Sequence, residues 1–310
     1  MENKLYDLIA VGELLVDLIG QQVCEDLSQA DEFHRFQGGS PSNLASNLAK
    51  LGKKTAMVAS VGRDNFGKFL IKNIQESGVD VQYISENEEI PTSLVINTRT
   101  LGTPDFIAYR EADRFIFKES LGDELLANTR IFHTTCFGLS RNPAQETIMD
   151  AATRATKLGC TLSIDMNYAP QIWPARHEAL DLIKQYCRLS PLIKISQDDY
   201  ERLLGEKKYT RQEILNYFIQ EGAQLVCLTL GGEGSLVQVP NQPTLHIPTQ
   251  RVDLLGDATG AGDAYWAGFL SAWLDKLSVE KCAEIGSRLA ALKLQQIGPL
   301  TLIDKKILYQ

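Results

Sequence analysis

The sequence predicts an α/β fold: a mostly parallel central sheet with helices on both faces, carrying a small inserted β unit. Strand-length apolar runs alternate with segments of helical spacing, the rhythm of parallel strands joined by crossover helices. Two strand-like segments, residues 92–98 and 105–110, break that rhythm and read as a hairpin with Gly102, Thr103 and Pro104 near its turn. Polar or glycine-rich stretches recur where strands end, at Gly12 and Asp17, 38–43, 165–167, 196–199, 231–234 and 256–263. In an open parallel sheet, ligands bind outside such carboxyl ends.

Residues 5–12 read as a buried strand ending in glycine, and 13–20 as a second strand-like run with Asp17 embedded in it. Asp17 suits either a water-facing strand end or a carboxylate that accepts hydrogen bonds from a polar ligand. Residues 33–37 alternate like an edge strand and lead into a turn at 38–43. From that turn a helix runs through Leu44, Ala45, Leu48, Ala49 and Leu51, and Gly52 ends it. A strand follows at 55–61. Gly62 to Lys68 then has the spacing of a phosphate-binding P-loop. Phe69 stands where a magnesium-binding hydroxyl belongs and the intervening positions are bulky, so this is read as an ordinary strand–helix turn. After the hairpin come a strand at 131–134, a helix at 143–157, a strand at 161–165 and a helix around 179–186. A strand at 192–195, helices around Asp199 and Gln212, and a strand at 225–230 complete the pattern.

The 310 residues, 44% hydrophobic and 23% charged, describe an ordinary globular chain. A formal charge of −8 argues against sequence-independent nucleic-acid binding, which wants a basic face. No apolar run approaches the length of a membrane span, and Met1-Glu2-Asn3-Lys4 lacks a signal layout, so the expected location is the cytoplasm. Six dispersed cysteines without a CxxC pair and four scattered histidines argue against structural zinc and a disulfide framework.

The densest chemistry lies in Gly256-Asp257-Ala258-Thr259-Gly260-Ala261-Gly262-Asp263, which leads into an apolar helix-compatible segment. Small residues let an anion approach backbone N–H groups at a helix start, where the macrodipole also favours negative charge. Asp263 suits a helix cap, and equally a carboxylate that handles a proton beside a phosphate.

With these stretches in view, the chain resembles the ribokinase-like carbohydrate kinases of the PfkB family over essentially its full length. Gly38-Gly39-Ser40-Pro41-Ser42-Asn43, with Ala45, Gly52 and Gly62, matches the N-terminal signature. Asp257 to Asp263, followed by Ala267-Gly268, matches the C-terminal one. The resemblance implies a ribokinase-like fold. Its core would span 1–12, 38–90 and 119–310, with a β lid at 13–37 and 91–118. It also implies ATP-dependent phosphoryl transfer to a sugar hydroxymethyl group. Asp263 would deprotonate the hydroxyl, and the N–H groups of Gly260, Ala261 and Gly262 would steady the phosphoryl. Asp17, Gly39, Asn43, Arg110, Asp165 and Asn167 would bind the sugar, and Ser196, Thr229, Gly231, Gly234 and Ser287 the nucleotide. Asp257 would hold a monovalent cation such as K+, and Asp199 a water of the Mg2+ that arrives with ATP. Pairing of lids suggests a homodimer, with no nucleic-acid or membrane partner.

The chain departs from the family pattern at Ala258, Ser196, Asp199, Ser287 and Ala169, the last in place of an arginine that would contact phosphate. Residues 165–167, 172–174 and 106–113 look most like the fructokinase branch. A 2-keto-3-deoxygluconate kinase is the alternative, with Arg110 or Arg114 as the extra cation; both arginines also suit a lid surface. Two further classes stand beside these. One is a sugar-binding relative without catalysis. The other is a nicotinamide-dependent dehydrogenase, disfavoured because no G-x-G-x-x-G follows the first strand.

Overall fold

The computed structural model describes residues 4–24, 26–99, 105–205, 209–250, 252, 258–296, 298–301, 303 and 308–309. The strands, in chain order, are β1 (Tyr6–Val11), β2 (Leu15–Val23), β3 (Phe33–Gly38), β4 (Thr55–Gly62), β5 (Ile84–Asn87), β6 (Leu94–Arg99) and β7 (Phe106–Tyr109). They continue with β8 (Thr129–Thr135), β9 (Thr161–Asp165), β10 (Leu192–Ser196), β11 (Leu225–Thr229), β12 (Ser235–Gln238) and β13 (Leu245–Ile247). The helices are α1 (Ser40–Lys50), α2 (Asn65–Glu76), α3 (Asp123–Ala127), α4 (Ala144–Lys157) and α5 (Arg176–Cys187). After them come α6 (Gln197–Leu204), α7 (Arg211–Gln220), α8 (Ala261–Leu274) and α9 (Val279–Leu294).

Nine strands form the main sheet in the order β13-β12-β11-β10-β9-β8-β1-β4-β5. Its ladders are parallel from β5 to β11, and β12 and β13 add an antiparallel edge. The central strands are apolar on both faces, as a sheet covered on both sides requires. In β1, Ile9 and Val11 point into the layer of α4 to α7, while Leu8 and Ala10 point into that of α1, α2, α8 and α9. Helix α8 is buried almost all round because α9 closes its outer side. A Cβ on Gly268 would come within 2.8 Å of the Ile285 carbonyl, and one on Gly286 within 2.7 Å of the Tyr265 carbonyl. Glycine at both positions lets the two helices touch.

A second sheet, ordered β3-β2-β6-β7, stands apart from the first. The expected hairpin is its β6–β7 pair, with Leu94 opposite Tyr109; its turn lies outside the described residues. The expected edge strand is β3, paired to β2 with Leu15 opposite Gly38. The segment with P-loop spacing is indeed a packed turn. Asp64 caps α2 by accepting from the N–H groups of Phe66 and Gly67, and its other oxygen takes the Thr92 N–H. A side chain on Gly67 would collide with the Gly62 carbonyl, so that glycine serves packing.

Candidate active site

The site is built where α8 begins. Gly260, at φ +77°, supplies the left-handed residue that turns the chain into the helix, and no side chain caps the first turn. Asp263 therefore stands on that turn with its carboxylate directed at another helix. Ser40 Oγ donates to its Oδ1 at 2.7 Å and Asn43 Nδ2 to its Oδ2 at 2.9 Å. Residues three apart share one face of a helix, so the first turn of α1 delivers both donors together. Gly39 permits this because its φ of +98° and its packing on the Glu13 carbonyl leave no room for a side chain. Ser40 escaped the sequence reading, although its spacing from Asn43 was the available signal. The Ala261 N–H, expected to face a phosphoryl group, donates instead to the Ala258 carbonyl at 3.1 Å. That leaves the N–H groups of Gly262 and Asp263 as the later first-turn donors.

Beneath that turn lies a charge cluster in which Lys194 was not anticipated. Lys194 on β10 sits opposite Asp165 on β9, and its Nζ donates to both carboxylate oxygens at 3.0 Å. Both residues are buried. Asp165, expected at the sugar, has both of its carboxylate oxygens engaged by Lys194. Burial pulls the Lys194 ammonium down, but Asp165, Asp199 and Asp263 outweigh it and hold the group above its ordinary value. Asp199 is buried too, and its Oδ2 accepts from Ser196 N–H and Oγ in a capping box that starts α6. Ser196 thus caps a helix, one strand away from Thr229, its register partner on β11.

Beside Asn43 and Gly260, a cavity of about 180 Å³ runs between the small sheet and α1. Asp17, Phe36, Asn43, Lys50, Gly260 and Lys293 are among its walls. Asn97 Nδ2 reaches Asp17 Oδ1 at 3.4 Å, and a side chain on Gly38 would collide with the Asp17 carboxylate. Asn167 accepts from the Phe137 N–H at 3.3 Å. Arg110 is no surface residue: it is 6% exposed, its guanidinium lies 3.9 Å from the Phe137 ring centroid, and Asp113 binds it. Its Nε donates to Asp113 Oδ2 and its Nη1 to Ser140 Oγ, both at 2.7 Å, so the cation expected for a sugar is already partnered.

The nucleotide candidates divide. Gly231, at φ +55°, is exposed with open space where a side chain would stand. Gly234 has a structural reason, since a Cβ there would collide with the Ile247 carbonyl across the β12–β13 hairpin. Ser287 is buried on α9. Asp257 lies outside the described residues, and among the described residues no cluster of three or more metal-ligating side chains occurs.

A model of the pfkB family of carbohydrate kinases matches residues 6–306. The ATP-dependent 6-phosphofructokinase of Thermoanaerobacterium thermosaccharolyticum is 36% identical, over 96% of this chain and 91% of that protein. A 5-dehydro-2-deoxygluconokinase of Lacticaseibacillus casei is 27% identical over 94% of this chain and 91% of its own length. The fructokinase structure from Halothermothrix orenii superposes with a TM-score of 0.78 at 30% identity, covering 91% of this chain and 97% of that one.

Proposed function

The chain belongs to the pfkB family of carbohydrate kinases, and on that basis we propose that it transfers the γ-phosphoryl group of ATP to a hydroxymethyl group of fructose. One observation carries this reading: a carboxylate on the uncapped first turn of a helix, held by two side-chain donors, one of which, Asn43, also lines a cavity. Asp263 accepts the hydroxyl proton as the oxygen attacks. Phosphoryl transfer passes through a loose transition state, so the aim of that oxygen matters more than base strength. Asp17 and Asn43, with the backbone at Gly39, hold the sugar hydroxyls, and Asn167 lies beside them. The Gly260–Gly262 turn receives the phosphoryl group. The nucleotide lies along Thr229, Gly231 and Gly234, with Ser196 and Ser287 at its edges.

Magnesium enters with ATP, since among the described residues no carboxylate cluster would hold it alone. A single carboxylate such as Asp199 would hold a water of its shell, and the ion would shield phosphate charge. Asp257 is the candidate ligand for K+. The small sheet, with segments 13–37 and 91–118, acts as a lid on the core formed by 1–12, 38–90 and 119–310, and lid closure excludes water. Val23, Phe33, Ile107 and Tyr109 are exposed apolar residues of that sheet, which supports a homodimer formed through it. We place the protein in the cytoplasm; among the described residues no helix is long and apolar enough to cross a membrane.

Of the two arginines an acidic sugar would want, Arg110 is engaged by Asp113, whereas the buried Nε of Arg114 has no hydrogen-bond partner among the described residues, so the neutral-sugar reading rests on Arg110. A second reading, fructose already bearing a phosphate, is favoured by the 36% identical 6-phosphofructokinase and by Lys50 and Lys293 on the cavity wall. A panel of fructose, fructose 6-phosphate and 2-keto-3-deoxygluconate, scored by kcat/KM with and without potassium, decides between them. Preference for either acidic substrate overturns the fructose assignment. The Asp263→Ala variant should lose turnover by about 10²–10⁴-fold while still binding ATP. Turnover equal to wild type would remove Asp263 from the chemistry.

A further inference from the structure

We propose that the monovalent cation of the phosphoryl-transfer turn is part of the chain: the ammonium of Lys293 stands in for a potassium ion. The inference rests on the kinase reading above and replaces the free ion, for which Asp257 was the candidate ligand, with a side chain. Lys293 lies in the last turn of α9 and is only 4% exposed. Its Nζ donates to the Gln296 carbonyl at 3.3 Å, so the side chain folds back onto the segment that leaves the helix. That segment is itself tied down. Gln296 N–H donates to the Lys293 carbonyl, and Gln296 Oε1 accepts from the N–H and the hydroxyl of Thr301. The stem of Lys293 meanwhile reaches the turn before α8. A Cβ on Gly260 would lie 3.7 Å from Lys293 Cε, 3.8 Å from Asp263 Oδ2 and 3.9 Å from Asn43 Nδ2. The lysine, the proposed base and one of its two donors thus converge on a single point, and Asp257 precedes that glycine by three residues.

A lysine in the last turn of a helix is commonplace, since it neutralises the terminal carbonyls. Such lysines keep their ammonium in water, and the burial of one calls for a reason. Backbone carbonyls are also the groups that coordinate potassium in place of its hydration shell. A primary ammonium carries the same charge as K+ and is close to it in size. Held at the Gln296 carbonyl, the ammonium supplies the charge that the ion would bring and repels a second cation. An attached cation is always present, so the geometry of the turn no longer follows the ions in solution. Lys293 acts through the turn rather than on the reactants, which makes it a positioning residue for Gly260 to Asp263.

Potassium and sodium buffers of equal ionic strength separate the two cations. Wild-type kcat/KM and melting temperature should be the same in both, and a kcat/KM more than about fivefold higher in potassium overturns the proposal. Lys293→Ala should lower kcat by about 100-fold in sodium, with the sugar KM little changed, as a displaced turn would cause. Potassium, ammonium or methylammonium should recover about tenfold of that loss, and potassium should raise the variant's melting temperature where sodium does not. Wild-type turnover in the variant, or a loss that none of these ions restores, overturns the proposal. So does a rise in KM for fructose or fructose 6-phosphate at unchanged kcat, which would make Lys293 a substrate contact. If the alanine variant is unfolded in sodium by circular dichroism, folding restored by potassium supports the role. If it is unfolded in both salts, Lys293→Ser is judged by the same criteria. If the wild type phosphorylates none of the sugars, the kinase reading has failed. The response of the variant's melting temperature to potassium then still decides whether Lys293 replaces the ion.

Discussion

Glu13 joins β1 to β2 and is 1% exposed, with Thr135 Oγ1 donating to its Oε2 at 2.8 Å. Burial pushes its carboxyl from 4.5 up to about 8, against the opposing pull of hydrogen bonds and of Arg110. The folded protein therefore keeps a proton that the unfolded chain gives up above its ordinary value. Stability from this group is fully present below 4.5 and is lost as pH rises through about 8. A Glu13→Gln variant cannot ionise, so its melting temperature relative to wild type should climb between about pH 5 and about pH 8. A constant difference across that range would show that Glu13 stays charged in the fold. Residues of this kind were hidden in the sequence. Asp263, Asn43 and Gly39 announced themselves through small-residue motifs. Lys194 is a lone charge inside an apolar strand and Glu13 one between two strands, and only the packed fold reveals what they face.

At the scale of elements, two glycine-containing turns looked alike and folded to opposite ends. Asp64 occupies the donors that open α2, whereas the first turn of α8 is left uncapped and its carboxylate is drawn to α1. The central strands were legible because burial on both faces demands continuous apolar runs. Strands β5, β12 and β13 were not, being three or four residues long, too short for a pattern to be read. One interior contact ties α8 to the sheet. Trp266 Nε1 donates to Ser163 Oγ at 2.9 Å, and His133 Nδ1 lies 2.9 Å from the same oxygen. Burial pushes His133 down to about 3, so the ring is neutral. Ser163→Ala orphans both nitrogens without opening a large cavity and should cost about 1–3 kcal/mol. Urea unfolding measures it, and a change within error would show that these nitrogens find other partners.

Across the whole molecule, two helical layers cover the main sheet, while among the described residues the outer edges of β3 and β7 in the small sheet carry no further strand. If copies pair through that sheet, Ile107→Glu combined with Tyr109→Glu should convert dimer to monomer in light scattering, because charge on an apolar face opposes association. A wild type that is monomeric at assay concentration would exclude the lid dimer. The grip of Ser40 and Asn43 on Asp263 also has a consequence in time. The donors and the acceptor are separated by 223 and 220 positions along the chain. Closing so long a loop is slow compared with forming local helices. The carboxylate acquires its partners only when the last helices dock onto the first one. On refolding from urea, sugar phosphorylation should therefore return in a later phase than the far-ultraviolet helical signal. Turnover that recovers in step with the earliest helical phase would mean that the two ends of the chain meet first.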